Sequence, residues 1–159
     1  MDAVAGSKWR QAVGTIMLWL VGIVFLIVAV DKAHFPSPLS AVVRYFGGLS
    51  INVGSSSALS VGVILIECFI AIALLTQWHR LLAVIVGCLF LAAASAILIV
   101  LAADPGAPSG CGCGRFLSSV ADTTGAMLFR NTVLLGMLGA GEFLARSGDM
   151  LAVSAIEGT

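Results

Sequence analysis

Four apolar stretches, each about as long as a bilayer crossing, constrain this chain more than any other feature. They cover residues 11–30, 58–76, 81–103 and 126–145, the last being the least apolar. A hydrocarbon core about 30 Å thick is crossed by about 20 residues of helix. Composition agrees: the chain is 60% hydrophobic and 10% charged, whereas a soluble domain carries about 25% charged residues. The formal net charge is zero, so nothing favours nucleic acid as a partner. Lys8 and Arg10 precede the first run, as in a signal peptide. That run is too long for such a peptide's apolar core, however, and its exit, "AVDKAHFPSP", makes a weak cleavage site. The expected fold is all-α: an integral membrane four-helix transmembrane bundle, forming a single membrane domain over residues 1–159.

An even number of spans puts both termini on one side and the segments 31–57 and 104–125 together on the other. Positive charge divides evenly: Lys8, Arg10, Arg80 and Arg146 on the terminal side, Lys32, Arg44, Arg115 and Arg130 on the loop side. Arg80 lies in the very short connection "QWHR", where charge weighs most in setting orientation. The expectation is therefore termini in the cytoplasm and loops outside. Trp9, Trp19 and Trp78 suit interface anchors, although Trp19 lies mid-span, where packing is the alternative.

The segment 31–57 is more than a linker. Pro36 or Pro38 can start a short helix and Gly47 can stop it. Leu39, Val42, Val43 and Phe46 recur at helical spacing, so a surface helix is predicted between the first two spans. Ser55, Ser56 and Ser57 are expected to cap the second span.

The segment 104–125 carries "SGCGCGRF". Cys111 and Cys113, one residue apart, can close a small, strained disulfide ring, and strained exposed disulfides are the labile, oxidising ones. Gly112 removes a side chain that would crowd the ring, Gly110 and Gly114 free the flanking backbone, and Arg115 favours the thiolate. On the outer side, where disulfides persist, the pair reads as a redox dithiol. A structural role is the alternative, although so short a ring restrains little chain. A zinc site would need two further ligands, and the spacing of His34 and Asp104 recommends neither.

Glu67 falls near the middle of the second span. A carboxylate there is costly unless it faces protein and finds a partner. It reads either as a contact for a proton or a quinone head, or as a buried hydrogen bond that fixes packing. Lys32 ends the first span and Arg130–Asn131 opens the fourth, on the cysteine side of the membrane. They form either a cationic floor beneath the dithiol or charges snorkelling to the interface. Cys68 and Cys88 lie about 15 Å from the 77–80 turn at 1.5 Å per residue, hence at equal depth. They read as small apolar fillers, with electron relay as the minor alternative. His79 reads as an interfacial residue.

These residues carry a resemblance. "VDKAHF", "YFGG", "ILIECFIAIALL", "CGCG" and "LFRNTVLLGML" occur in that order over roughly residues 13–145, and the chain resembles the MauE/DoxX-like family of small four-span membrane proteins. The resemblance implies a four-helix membrane bundle similar in plan to vitamin K epoxide reductase-like proteins. It also implies an accessory role in making a disulfide-rich periplasmic protein, which would suit Cys111 and Cys113 as an exchange pair. The chain departs from the family pattern in reading "CGCGRF" rather than Cys-Gly-Cys-Phe-Gly, and in lacking a proline shortly before Glu67.

The resulting expectation is a thiol–disulfide redox protein of a bacterial inner membrane. Cys111 and Cys113 exchange with an extracytoplasmic partner, Lys32 and Arg130 tune the thiolate, and Glu67 manages a proton or supports a quinone. The rival expectation is a non-catalytic subunit of a larger membrane complex, whose small-residue stretches 92–96 and 136–141 allow close helix packing. A small-molecule carrier built around Glu67 is the third.

Overall fold

The computed structural model describes residues 2–35, 42, 45, 53–103 and 124–157. Four long helices account for nearly all of them: α1 (Asp2–His34), α2 (Val53–Thr76), α3 (Arg80–Ala103) and α4 (Thr124–Glu157). There is no strand among the described residues. Cys111 and Cys113 lie outside the described residues, as does most of the predicted surface helix. Within that helix Val42 and Tyr45 are helical, and Val42 is buried.

The helices are apolar because their surroundings are. Gly6–His34, Ala58–Thr76 and Arg80–Ala103 are each long and apolar enough to cross a bilayer. Leu65 and Phe69 on α2, Leu89 on α3, and Phe129 and Phe143 on α4 all face outward. An apolar exterior over a helical backbone whose hydrogen bonds close internally suits lipid contact; this is an integral membrane protein. The fourth helix is set apart by Arg130, Asn131, Glu142 and Arg146, and it turns Asn131 and Glu142 inward, where both are buried.

The helices form a ring in chain order. Each packs against its sequence neighbours, and α4 closes the ring against α1. Apolar burial between helices gains little when lipid tails are equally apolar, so close van der Waals fit must hold the bundle. The tightest fit is between α1 and α4. A Cβ on Gly14 would lie 2.5 Å from the carbonyl oxygen of Gly141 and 2.7 Å from the amide of Ala145. Gly22 permits a similar approach of α1 to Ala71 and Leu74 on α2, and Gly87 seats the side chain of Leu138 against α3. The shared core is Leu18, Val21, Ile70, Leu74, Leu91 and Leu138.

The α2–α3 connection takes three residues. Gln77 (φ 58°) and His79 (φ 50°) both adopt the left-handed conformation, a position usually given to glycine after a helix. Side chains offset the cost: Gln77 Nε2 donates to the Leu74 carbonyl at 2.6 Å and Thr76 Oγ1 donates to the Ile72 carbonyl at 2.7 Å. The amide of Ala83 donates to the His79 carbonyl at 3.0 Å, which starts α3. Trp78 is exposed beside the His79 ring, 4.7 Å between centroids, where an interfacial anchor belongs.

Several expectations need correction. The helices continue beyond the apolar runs, because a helix does not have to end where the hydrocarbon does. Ser55–Ser57 are therefore helical residues of α2, which starts at Val53, and not its cap. Trp19 is 47% exposed on the outside of the bundle, so it faces lipid and does not pack inside. The 92–96 stretch turns largely outward, with Ala92, Ala93 and Ala96 exposed, so close approach there is open to a helix from outside the bundle and not to one within it. Of the 136–141 stretch it is Gly141 that makes the close approach; a Cβ on Gly136 or Gly139 would meet nothing.

Candidate functional site

Helix direction explains how charged residues from separate spans converge. The α1 helix runs toward the end of the bundle from which segments 36–52 and 104–123 depart, here the loop end, while α2 and α4 start there. Side chains lean toward the N-terminus of their own helix. Lys32, in the last turn of α1, therefore leans down into the bundle, and Glu67 and Arg130 lean up toward the loop end.

Lys32 Nζ donates to Glu67 Oε1 in a buried ion pair between α1 and α2. Lys32 is 6% exposed and Glu67 is 1% exposed, so Lys32 does not snorkel to the interface. Its ammonium also lies 5.9 Å from the centre of the Phe90 ring of α3, which Phe25 of α1 meets edge-on at 6.1 Å. A cation over a ring face is favourable by roughly 2 kcal/mol when desolvated.

From α4, Arg130 interacts electrostatically with Glu67 across the bundle. Arg130 Nη2 donates to Asn131 Oδ1 at 3.1 Å. Asn131 Nδ2 donates to Ser95 Oγ of α3 at 3.2 Å, and Ser95 Oγ donates to the Leu91 carbonyl at 2.8 Å. All four helices thus bring polar side chains into the bundle: an ion pair joins α1 to α2, and a hydrogen-bond chain joins α4 to α3. The charged groups here, among the described residues, include two cations, Lys32 and Arg130, and the Glu67 carboxylate. Glu67 Oε2 and Arg130 Nε and Nη1 are buried and have no hydrogen-bond partner among the described residues. In a region of low polarizability such an excess of positive charge favours an anion nearby, and the second carboxylate oxygen is available to a proton.

A second cluster lies at the other end of the bundle, beside the 77–79 turn. Glu142 of α4 is 8% exposed. Its Oε1 accepts from Arg146 Nε at 2.6 Å, one helical turn along, and its Oε2 lies 2.9 Å from Arg80 Nε at the start of α3. The Arg80 contact is an ion pair off hydrogen-bond alignment, since Oε2 has no hydrogen-bond partner.

Of the residues singled out in the sequence, Lys32, Glu67, Arg130 and Asn131 are brought together. Cys111 and Cys113 lie outside the described residues. Cys68 and Cys88 are free and half-buried, and Cys88 packs against the apolar core. Among the described residues no three of His, Cys, Asp or Glu converge on a common point. The sequence reading missed Ser95 and Phe90, neutral residues that look like ordinary span filler. It also missed Glu142, although a glutamate four residues before an arginine within an apolar run was a usable signal.

A family model described as Methylamine utilisation protein MauE matches residues 10–144. The chain belongs to that family. No curated protein and no solved structure matches it.

Proposed function

We propose that this MauE-family protein is a membrane accessory protein in methylamine utilisation, supporting the maturation of an extracytoplasmic partner by thiol–disulfide exchange at Cys111 and Cys113. It resides in a bacterial inner membrane, crosses it four times, and keeps its termini in the cytoplasm. The observation that carries this reading is the convergence of the buried Lys32–Glu67 pair of α1 and α2 with Arg130 and Asn131 of α4, the latter bonded to Ser95 of α3. It sits in the end of the bundle from which the cysteine segment leaves and returns.

The exchange balances as follows. A partner thiolate attacks the Cys111–Cys113 disulfide, giving a mixed disulfide and one free thiolate on this chain. The partner's second thiolate attacks the mixed disulfide and releases the second cysteine. The partner loses two electrons and two protons, and the Cys111/Cys113 pair gains them. Cations near a leaving sulfur lower the cost of its negative charge, a role for Lys32 and Arg130. Glu67 Oε2, buried and unpartnered among the described residues, takes up or gives back a proton as the sulfurs change charge. Re-oxidation of the pair requires a two-electron acceptor, and a membrane quinone supplies that chemistry. Arg130 Nε and Nη1 offer donors for a ring carbonyl, and Phe90 offers a ring against which to pack.

The deciding experiment labels Cys111 and Cys113 in intact cells with a membrane-impermeant maleimide, before and after mild reductant. Labelling only after reduction is the expected result. No labelling under either condition, with a permeant maleimide reacting, overturns the outward placement. Cys111→Ser or Cys113→Ser should then trap a mixed disulfide, formed when the remaining thiolate attacks the disulfide of the oxidised soluble partner and releases one partner thiolate.

The rival reading, a non-catalytic subunit of a larger membrane complex, has one observation in its favour: Ala92, Ala93 and Ala96 present small side chains on the outer face of α3, where another helix can approach closely. Co-purification of a stoichiometric complex, with function intact after both cysteines are replaced, would establish it.

A further inference from the structure

The Arg80–Glu142–Arg146 cluster takes no part in the chemistry above, and packing alone explains it poorly. A buried carboxylate between two helices needs one cation, and this one has two. Both guanidiniums make their contact with it through Nε, so the Nη1–Nη2 edge of each is not what the ion pair uses. That edge is the planar fork suited to phosphate oxygens. The side chains of Arg80 and Arg146 are 22% and 51% exposed, against 11% for Glu142. The carboxylate is thus the buried base and the guanidiniums its accessible rim.

Depth identifies what meets that rim. One apolar span ends at Thr76 and the next begins at Arg80, so the cluster lies at the edge of the hydrocarbon, in the headgroup layer. The exposed Trp78 in the adjoining turn fits the same level. Two guanidiniums less one carboxylate leave a single positive charge, which one phosphodiester neutralises. We propose that Arg80, Glu142 and Arg146 form a binding site for the phosphodiester of an anionic phospholipid, with Glu142 acting as the template that holds the two guanidiniums side by side, one on each carboxylate oxygen. Phosphatidylglycerol, which has no cationic group competing for its own phosphate, is the lipid class best suited.

The test uses the full chain purified in a mild detergent, with native mass spectrometry reading lipid retained after addition of phosphatidylglycerol, phosphatidylcholine or inorganic phosphate. The wild type should retain a single phosphatidylglycerol in preference to phosphatidylcholine. Arg146→Gln, a change at a half-exposed side chain, should weaken that retention by about fivefold or more, the scale of one interfacial cation. Lys8→Gln, an exposed charge on the same face, should leave the preference intact. Glu142→Gln separates a built site from plain charge attraction: it raises the local charge, so attraction alone predicts tighter retention, whereas loss of the template predicts weaker retention. Three results would overturn the proposal: equal retention by Arg146→Gln, tighter retention by Glu142→Gln, or competition by inorganic phosphate at lipid-equivalent concentrations, which would mark a site for soluble phosphate.

Discussion

The two charged clusters of this bundle are built from the same three elements, two cations and a carboxylate, yet they are used differently. At the loop end the cations come from α1 and α4 and the carboxylate from α2, so the network exists only when three helices have assembled. Lys32, Glu67 and Asn131 are buried and Arg130 is half-buried, and one carboxylate oxygen and two guanidinium nitrogens remain without hydrogen-bond partners among the described residues. At the turn end Arg146 and Glu142 share one helical turn and only Arg80 comes from elsewhere. Both carboxylate oxygens there lie against a guanidinium, Glu142 Oε2 alone lacks an aligned hydrogen bond among the described residues, and the cations reach the surface. A cluster that keeps unspent polar atoms in a dry interior is costly unless something uses them, whereas a cluster at the headgroup layer costs little to keep. Costly placement fits the proposed role of the first in the exchange chemistry, and cheap placement fits the proposed role of the second in binding lipid.

This contrast can be broken by mutation. Lys32→Met should have the largest effect, because it leaves Glu67 buried without its partner: a loss of about 3–5 kcal/mol, read by equilibrium unfolding in mixed detergent. The double variant Lys32→Met/Glu67→Leu should recover most of that stability while losing exchange with the partner. Recovery of both would make the pair a packing device and nothing more. Next comes Gly14→Ala, whose methyl group would be driven onto the Gly141 carbonyl. Overpacking of this kind costs about 1–3 kcal/mol, and the same unfolding assay should show it with no change in thiol labelling. Asn131→Leu removes the bond to Ser95 and should cost about 1 kcal/mol, the scale of hydrogen bonds between membrane helices. It should also slow exchange, since Arg130 loses the acceptor that holds it. Arg146→Gln should be least disruptive to folding, within about 1 kcal/mol as for other exposed ion pairs; a loss comparable to that of Lys32→Met would erase the distinction between the two ends.

Much of this was legible in the sequence, for a physical reason. Lipid forbids most polar residues, so each one inside an apolar run is conspicuous. Lys32, Glu67, Arg130 and Asn131 could be singled out on that ground alone, and so could the helices that carry them. What remained illegible was direction and partnership. Lys32 near the end of a span reads equally well as a snorkelling charge, and only the convergence of α1 with α2 turns it inward. Ser95 and Phe90 are unremarkable in an apolar helix until Asn131 and Lys32 arrive beside them. Glu142 was overlooked because Arg80, which shares it, lies 62 residues earlier in the chain (142 − 80). Trp19 shows the converse: a large ring mid-span suggests packing, but in lipid the outside of a bundle is as hospitable to it as the inside.

The buried pair between Lys32 and Glu67 also bears on how the protein is made. A charged side chain entering the bilayer on an isolated helix costs about 2.5–3.5 kcal/mol at mid-span on insertion scales, enough to hold back a segment of marginal hydropathy. Synthesis proceeds from the N-terminus, so α1 is already threaded, with Lys32 near its far end, when α2 emerges. The counter-charge precedes the charge it neutralises. Pairing with Lys32 thus offsets the cost of Glu67 as soon as the second helix meets the first.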